Sequence, residues 1–277
     1  MSALLDIQNL RVSFPTPHGR VEVVKGISFS LGRERLGIVG ESGSGKSMTG
    51  RSILRLIRSP GRVTADRMLF NGIDLLAQSE RQMRDIRGAR ISMVMQDPKF
   101  SLNPVMTVGE QIAEALVTHQ RLARGDVRAR VLSMLEAVRI NDPARVARLY
   151  PHEISGGMGQ RVMIAMMLIP SPDLLIADEP TSALDVSVQA QVLDIIDDLV
   201  TTKGMGLILI SHDLNLVARY CDRILVMNGG EVIEQCVASD LAHASHPYTR
   251  GLLAAMPQMN ETRAELPVLD RTQWAGT

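Results

Sequence analysis

The stretch that decides the fold of this chain is a glycine-rich octapeptide, Gly40-Glu41-Ser42-Gly43-Ser44-Gly45-Lys46-Ser47. It satisfies the pattern G-x-x-x-x-G-K-[ST] of a phosphate-binding loop, the P-loop. Glycines let the backbone wrap closely around a phosphate so that successive N–H groups point inward, and the dipole of a following helix adds positive charge. All eight residues are therefore candidate nucleotide ligands, with Lys46 at the β- and γ-phosphates and the Ser47 hydroxyl on Mg²⁺.

The residues on either side of the octapeptide have the pattern expected around such a loop. The apolar run 35–39 predicts a short strand before it, and residues 46–57 predict a helix after it. Taken alone, the octapeptide could also be an ordinary flexible glycine turn. The order of strand, loop and helix favours the phosphate site.

Further apolar runs predict the rest of a sheet. They cover residues 67–70, 91–95, 174–177, 207–210 and 224–227. Continuous apolar runs are typical of parallel strands buried on both faces, so we expect these strands to share one sheet. The alternating runs 4–14 and 21–30 instead predict an antiparallel hairpin, and residues 228–230 predict a second hairpin turn.

Between Thr107 and Leu168 the apolar periodicity is helical and no strand is predicted. We therefore expect an α/β fold made of a P-loop NTPase core, with a mostly parallel sheet and helices, plus an N-terminal antiparallel β part and an inserted all-helical lobe at about 107–168. Together these parts would form one nucleotide-binding domain over residues 1–257, followed by a C-terminal tail over 258–277.

A second nucleotide element lies far downstream, where the apolar run 174–177 leads into Asp178 and Glu179. A buried strand of this kind would deliver two carboxylates at its C-terminal end, where α/β sheets bind ligands. Asp178 would then hold the Mg²⁺ shell, and Glu179 would orient and polarise the attacking water. An acidic cap on the next helix is the alternative for this pair alone. The P-loop upstream favours the catalytic interpretation.

The overall composition excludes several other classes of protein. Thirty basic and thirty acidic side chains cancel, so no whole-molecule field draws the chain onto nucleic acid or anionic lipid. The basic run 121–130 has few aromatic residues near it and is typical of a solvated helical face. The only two cysteines, Cys221 and Cys236, have neither metal nor redox spacing. No sustained apolar run predicts a membrane span or a secretion signal, so we expect a cytosolic setting.

The segment Ile154-Ser155-Gly156-Gly157-Met158 resembles the L-S-G-G-Q signature of the ATP-binding cassette family, and the resemblance spans nearly the whole chain. Ser155 would cap a helix while two glycines expose N–H groups, which makes an anion site without a second half. The resemblance implies that Ser155, Gly156 and Gly157 bind ATP held on the P-loop of a second subunit, packed head to tail. Ile154 and Met158 depart from the family pattern, which leaves the role of position 158 open.

Four further residues match family positions one by one. The resemblance implies that Gln96 contacts Mg²⁺, assists catalysis and links the core to the helical lobe. It also implies that Asp185 lies in a loop touching the opposite subunit and that His212 reaches the γ-phosphate. Phe14 sits where the family places an aromatic ring against adenine, although it could simply be a core residue. Taken alone, the other three are an ordinary strand-end glutamine, a helix start and a structural histidine.

Two local stretches indicate a subfamily. Residues 96–112 and the sequence 246–253, His-Pro-Tyr-Thr-Arg-Gly-Leu-Leu, resemble importers of oligopeptides, dipeptides and nickel. The resemblance implies an ATPase subunit that energises import of a small solute, either peptides or nickel, with ATP and Mg²⁺ as cofactors. A non-transport cassette ATPase acting on a macromolecular complex would share every nucleotide motif and is the alternative.

The subfamily resemblance also implies a set of partners. They are a second ATPase subunit, either a paralogue or a second copy, two membrane-spanning permease subunits and a periplasmic solute-binding protein. Nucleic acid is not among them. We therefore expect a peripheral position at the cytoplasmic face of the bacterial inner membrane.

Overall fold

The structure is a computed structural model that describes residues 3–95, 102–182 and 184–255. Its strands are β1 (Leu5–Thr16), β2 (Gly19–Leu31), β3 (Arg35–Val39), β4 (Arg62–Thr64), β5 (Arg67–Phe70), β6 (Ile73–Asp74), β7 (Ile91–Val94), β8 (Leu174–Asp178), β9 (Gly206–Ser211), β10 (Arg223–Asn228) and β11 (Glu231–Val237). Its helices are α1 (Lys46–Ile53), α2 (Glu80–Ile86), α3 (Val108–Val117), α4 (Arg124–Ala137), α5 (Pro143–Val146), α6 (Gly156–Leu168), α7 (Val186–Lys203), α8 (Leu214–Tyr220) and α9 (Pro247–Ala254).

The core is a six-stranded sheet with the order β11-β10-β3-β9-β8-β7. Strands β10, β3, β9, β8 and β7 run parallel, and β11 pairs antiparallel with β10 through the predicted hairpin turn. The register pairs Val39 with Ser211 and Asp178 with Ile210. The carboxyl ends of β3, β8 and β9 therefore meet at one edge of the sheet, which is where parallel sheets bind ligands.

A second, antiparallel sheet has the order β2-β1-β5-β6, with β4 also paired to β1. The predicted N-terminal hairpin is confirmed, but the prediction that residues 67–70 belong to the core sheet is wrong, because Leu5 pairs with Phe70 in this second sheet. Strand β5 buries only Met68 and Phe70 fully, which is the alternation of a half-buried strand. The apolar run was too short to reveal that alternation.

Both faces of the core sheet are buried. One face packs against the antiparallel sheet in a cluster that includes Leu36, Ile208 and Phe29. The other face packs against helices in a cluster that includes Val39 and Leu209. Burial on both faces explains why the parallel strands are continuous apolar runs.

The described residues between β7 and β8 form the helices α3, α4, α5 and α6 and no strand. Helix α3 begins at a capping box in which Thr107 and Glu110 bond each other's backbone N–H groups. It packs against α4 and α6, and Ile112, Leu135 and Ile164 contribute to their shared core. This is the all-helical insertion that the periodicity predicts.

Helix α1 is shorter than predicted, because it ends at Ile53 rather than at residue 57. Arg55 has a left-handed backbone with φ of 51°, and its guanidinium donates to the Leu75 carbonyl at 3.3 Å. The helix therefore ends where Arg55 contacts the segment around Leu75. The helix propensities of the residues at this point do not predict that end.

Candidate active site

The P-loop connects β3 to α1 at the carboxyl edge of the core sheet. Gly40 and Gly45 have φ of 150° and 98°, a region that side chains rarely adopt. A Cβ atom at Gly40 would lie 2.1 Å from the Met227 carbonyl oxygen, and one at Gly45 would lie 2.6 Å from the Val23 carbonyl oxygen. Glycine is therefore required at both positions, as the octapeptide pattern predicts.

Lys46 lies inside the loop and is only 5% exposed. Its Nζ donates to the carbonyl oxygens of Gly40 and Glu41, at 2.8 Å each. Burial lowers the pKa of the Lys46 ammonium, while the nearby carboxylates, Glu179 and Asp178 above all, oppose that shift. The loop thus holds a cation in place at its centre.

Ser47 and Asp178 contact each other across the loop and the end of β8. The Ser47 hydroxyl donates to Asp178 Oδ1 at 2.7 Å, and Asp178 is 3% exposed. Burial raises the pKa of the Asp178 carboxyl, whereas the bond from Ser47 and the positive charge of Arg51 favour its ionised form. Two hard oxygen ligands are thereby placed side by side.

This pair fits the requirements of Mg²⁺, which takes hydroxyl and carboxylate oxygens and is bound through one or two carboxylates together with phosphate and water. Within the described residues no group of three or more His, Cys, Asp or Glu side chains could hold a metal ion. A Mg²⁺ ion bound through Ser47 and Asp178 would take further oxygen ligands, among them those of a nucleotide and water.

Glu179 follows β8 directly and has a strained backbone with φ of 47°. Its N–H donates to the Ile210 carbonyl at 2.9 Å, and its Oε1 lies 3.3 Å from His212 Nδ1. Strained backbone of this kind persists where the surrounding structure fixes it, often at functional sites. The His212 side chain is 65% exposed, so it is accessible from outside the loop.

A cavity of about 390 Å³ joins these residues. Its walls are formed by P-loop residues, by neighbours on β2 and α1, and by the carboxylate after β8: Val23, Ser42, Gly43, Gly45, Lys46, Ser47, Met48 and Glu179. The cavity therefore has a cation and hydroxyl groups on one side and a carboxylate on the other.

A neighbouring cavity of about 520 Å³ includes the predicted base-stacking residue Phe14. Met48 lines both cavities, so Phe14 lies next to the P-loop cavity and not at a separate site. The Phe14 ring is partly buried and also packs against the core. The adenine and core interpretations of Phe14 are thus both compatible with its position.

The turn Ser155-Gly156-Gly157 lies apart from the P-loop cavity, at the start of α6. Ser155 and Gly156 are exposed, and Ser155 Oγ accepts from the Met158 N–H at 3.3 Å. A Cβ atom at Gly156 would meet nothing within 4 Å. Met158 packs its side chain against the core, which explains why this position does not require glutamine for folding.

Asp185 and Gln96 are the remaining predicted site residues. Asp185 caps α7 by accepting from the Val188 N–H at 3.0 Å, and it is exposed. Gln96 lies outside the described residues.

Two residues close to the site were missed by the sequence analysis. Gln160 on α6 is 1% exposed, and its Nε2 donates to the Pro180 carbonyl immediately after Glu179. Tyr248 on α9 contacts the P-loop residue Glu41. Gln160 lies on the same face of α6 as the apolar residues Ile164 and Leu168. A buried amide on an apolar helix face needs a hydrogen-bond partner, so this pattern could have identified Gln160 from the sequence. Nothing in the sequence linked Tyr248 to the P-loop.

A P-loop after a parallel strand, with two consecutive carboxyl residues at the end of a nearby strand, defines a nucleotide-hydrolysing protein of the P-loop class. The family described as ABC transporter matches residues 24–182. The chain belongs to the ABC transporter family, and it is an ATPase.

Curated relatives support the same family over almost the full chain. The chain is 47% identical over 275 residues to the dipeptide transport ATP-binding protein DppD of Bacillus subtilis, covering 98% of this chain and 82% of that protein. It is 44% identical to the oligopeptide transport ATP-binding protein OppD of the same organism, covering 96% and 75%. It is 48% identical to the glutathione import ATP-binding protein GsiA of Escherichia coli O157:H7, covering 92% and 42%.

Solved structures share the fold. The dimeric bacterial ABC transporter cassette MJ0796 aligns with a TM-score of 0.74 and 27% identity, covering 84% of this chain and 98% of that chain. A dimer of the same cassette in a post-hydrolysis state with ADP and Pi aligns with a TM-score of 0.73 and 26% identity, at the same coverage. In the part of the chain that the structure describes, no helix has the length and apolar character needed to cross a membrane.

Proposed function

We propose that this chain is the ATP-binding and ATP-hydrolysing subunit that energises peptide import through a membrane transporter. The proposed ATP hydrolysis rests on the 2.7 Å hydrogen bond between Ser47 and Asp178, which lies beside the Lys46 cation and Glu179. The peptide half is supported by relatives named for dipeptide, oligopeptide and glutathione transport. None of these names mentions nickel.

Each residue of the cavity has a role in this proposal. Lys46 and the N–H groups of the loop bind the β- and γ-phosphates. Ser47, Asp178 and Gln96 hold Mg²⁺, which when bound neutralises charge on the transferred phosphate. Phe14 stacks on adenine.

Glu179 and His212 act on the reacting end of the nucleotide. Glu179, which lines the P-loop cavity, orients the attacking water and accepts a proton from it. His212, at 3.3 Å from Glu179 Oε1, contacts the γ-phosphate from its exposed side.

The exposed start of the turn 155–157 supports a second ATPase subunit, because a capped helix start can bind an anion and none of these three residues lines the P-loop cavity. We place ATP held by the neighbouring subunit at this turn, and Asp185 in the same interface. Packing is then head to tail, with two nucleotides between two subunits. Either a paralogue or a second copy could be that neighbour.

Two permease subunits and a periplasmic solute-binding protein complete the proposed transporter, with this chain bound peripherally at the cytoplasmic face of the inner membrane. Residues 1–257 form its nucleotide-binding domain, with the helical lobe at about 107–168, and 258–277 its tail. The permease contact lies near residues 96–103. Among the described residues of the helical lobe, a groove of about 590 Å³ between α3, α4 and α5 carries Arg124, Arg128 and Arg148.

The test is purification of the native complex from membranes, followed by reconstitution into lipid vesicles. ATP hydrolysis by the complex should rise when the solute-binding protein is supplied with di- or oligopeptides. Glutathione and Ni²⁺ serve as competing candidates. A complex that contains no permease, or that is stimulated only by Ni²⁺, would contradict peptide import.

A further inference from the structure

The C-terminal stretch 246–253 identified a subfamily in the sequence but has no role in the proposed chemistry. In the fold it reaches the P-loop. Tyr248, near the start of α9, is 2% exposed, and its phenol oxygen accepts from the Glu41 N–H at 3.3 Å. The phenol O–H lies 3.5 Å from Glu41 Oε2, to which it donates. Two segments 207 residues apart in sequence are thus joined at the loop.

Glu41 differs from its P-loop neighbours in what it contacts. It does not line the 390 Å³ cavity that Ser42, Gly43 and Lys46 form. Its carbonyl oxygen instead accepts from Lys46 Nζ at 2.8 Å. The phenol and the Lys46 ammonium therefore bond the backbone at the same residue, one at its N–H and one at its carbonyl.

Tyr248 is itself fixed to the core sheet. Its N–H donates to His246 Nδ1 at 3.1 Å, and the N–H groups of His246 and Ser245 donate to Glu234 Oε1 at 3.1 and 2.7 Å. Glu234 lies on β11. A continuous series of hydrogen bonds thus runs from the edge of the core sheet through α9 to the P-loop.

We propose that Tyr248 is a positioning residue of the nucleotide site, which holds the Glu41 backbone so that the P-loop and Lys46 stay in the phosphate-binding geometry before ATP arrives. This inference rests on the proposed function, because it assigns a role relative to the same site. Tyr248 does not contact the nucleotide. The C-terminal stretch is then part of the binding machinery and not only a covering helix.

The expected effect follows from preorganisation. If the binding-competent loop is populated only a fraction of the time, the measured dissociation constant rises by the inverse of that fraction. Loss of one hydrogen bond of ordinary strength changes such a population by roughly threefold to tenfold. Once phosphate is bound, its own contacts order the loop, so turnover at saturating ATP should change by less than about twofold.

The experiment compares Tyr248→Phe, which keeps the buried ring and removes only the hydroxyl, with the full-length wild type. Tyr220→Phe is the matched control, because its hydroxyl bonds Asp194 at 2.7 Å on α7, away from the loop. Mg²⁺ and the fluorescent nucleotide mant-ATP are titrated into each chain. KM and kcat for ATP hydrolysis are measured separately, and amide hydrogen exchange is followed over residues 40–46.

Tyr248→Phe should raise the dissociation constant for mant-ATP and the KM roughly threefold to tenfold, leave kcat nearly unchanged and speed exchange over the loop. Tyr220→Phe should match wild type in all of these. Equal affinity and equal loop exchange for wild type and Tyr248→Phe would overturn this inference and leave the proposed function intact. A wild-type chain that bound no nucleotide would overturn the proposed function itself.

Discussion

The P-loop cavity and the exposed turn 155–157 both lie at the start of a helix, and both are proposed to bind phosphate, yet their surroundings differ. In the cavity, Lys46 and Asp178 are buried, and each has a bonded partner on a different part of the loop or sheet. At the turn, the Ser155 hydroxyl accepts from the Met158 N–H of its own helix start, and a Cβ atom at Gly156 would meet nothing within 4 Å. The difference supports the proposal that the first site is preformed by the fold and that the second is completed by a nucleotide bound to a partner.

The buried amide of Gln160 connects these two regions. Gln160 lies on α6, which begins at the turn 155–157. Its side-chain Nε2 donates to the carbonyl of Pro180, the residue directly after Glu179. One buried hydrogen bond thus lies between the helix that begins at the turn 155–157 and the residue proposed to orient water.

The largest effect is expected from Glu179→Gln, which separates binding from chemistry in the preformed site. Loss of a general base lowers turnover by roughly 100-fold to 10,000-fold, while the cavity and its Lys46 cation remain. ATP binding should persist, and dimers closed on ATP should accumulate. Steady-state ATPase assays with size-exclusion chromatography check this, and full activity in the variant would contradict the catalytic role of Glu179.

The next largest effect is expected from Lys46→Ala, which removes the cation at the centre of the loop. A charge-assisted contact of about 1.5–3 kcal/mol corresponds to roughly 10-fold to 100-fold weaker ATP binding. Lys203→Ala is the control, since Lys203 is a partly buried lysine that bonds Leu168 and Ser171 and not the P-loop. Isothermal titration would measure both, and unchanged affinity in Lys46→Ala would remove the phosphate role of the loop.

A smaller and more selective effect is expected from Ser155→Ala at the incomplete site. ATP affinity of the isolated chain should stay within about twofold, while ATPase activity of the dimer falls by roughly tenfold, on the scale of one hydrogen bond to a charged group. Thr107→Ala removes a comparable helix cap at α3 and controls for lost stability. Weaker ATP binding by the isolated Ser155→Ala chain would mean that the turn belongs to its own nucleotide site.

The smallest effect concerns pH and Asp178, whose carboxyl pKa is raised by burial. A raised folded-state pKa means that the protonated form is favoured on folding, so this contribution to stability is present at low pH and is lost as pH rises through the folded-state pKa. Asp178→Asn, without nucleotide or Mg²⁺, should therefore melt at a higher temperature than wild type at pH 7, with the difference shrinking towards pH 4. Thermal unfolding across this range measures it, and a wild type more stable at pH 7 would reverse the sign.

The sequence predicted those parts of the site in which a short stretch of residues determines both the chemistry and the backbone structure. The octapeptide predicted a loop that requires glycine, and close backbone packing does leave no room for a side chain at Gly40 and Gly45. The runs beside it predicted the strand before the loop and the helix after it. The run before Asp178 predicted a buried parallel strand, because burial on both faces demands continuous apolar residues.

Tertiary contacts account for what the sequence did not reveal. Strand β5 joined the antiparallel sheet, since a run of four residues carries too little alternation to choose between sheets. Helix α1 ended early at a left-handed Arg55 that is held by a distant carbonyl. The contact of Tyr248 with Glu41 joins two positions that are 207 residues apart in the sequence, and no local pattern predicts a contact between them.

The most direct measurement is a structure of the Glu179→Gln chain with Mg²⁺, ATP and the ATPase subunit that copurifies with it. Each nucleotide should lie between the P-loop of one subunit and the serine-glycine turn of the other, with Ser155 Oγ about 3 Å from a γ-phosphate oxygen held by the neighbour. Nucleotides enclosed by single subunits, with Ser155 facing solvent in the ATP-bound dimer, would contradict the account.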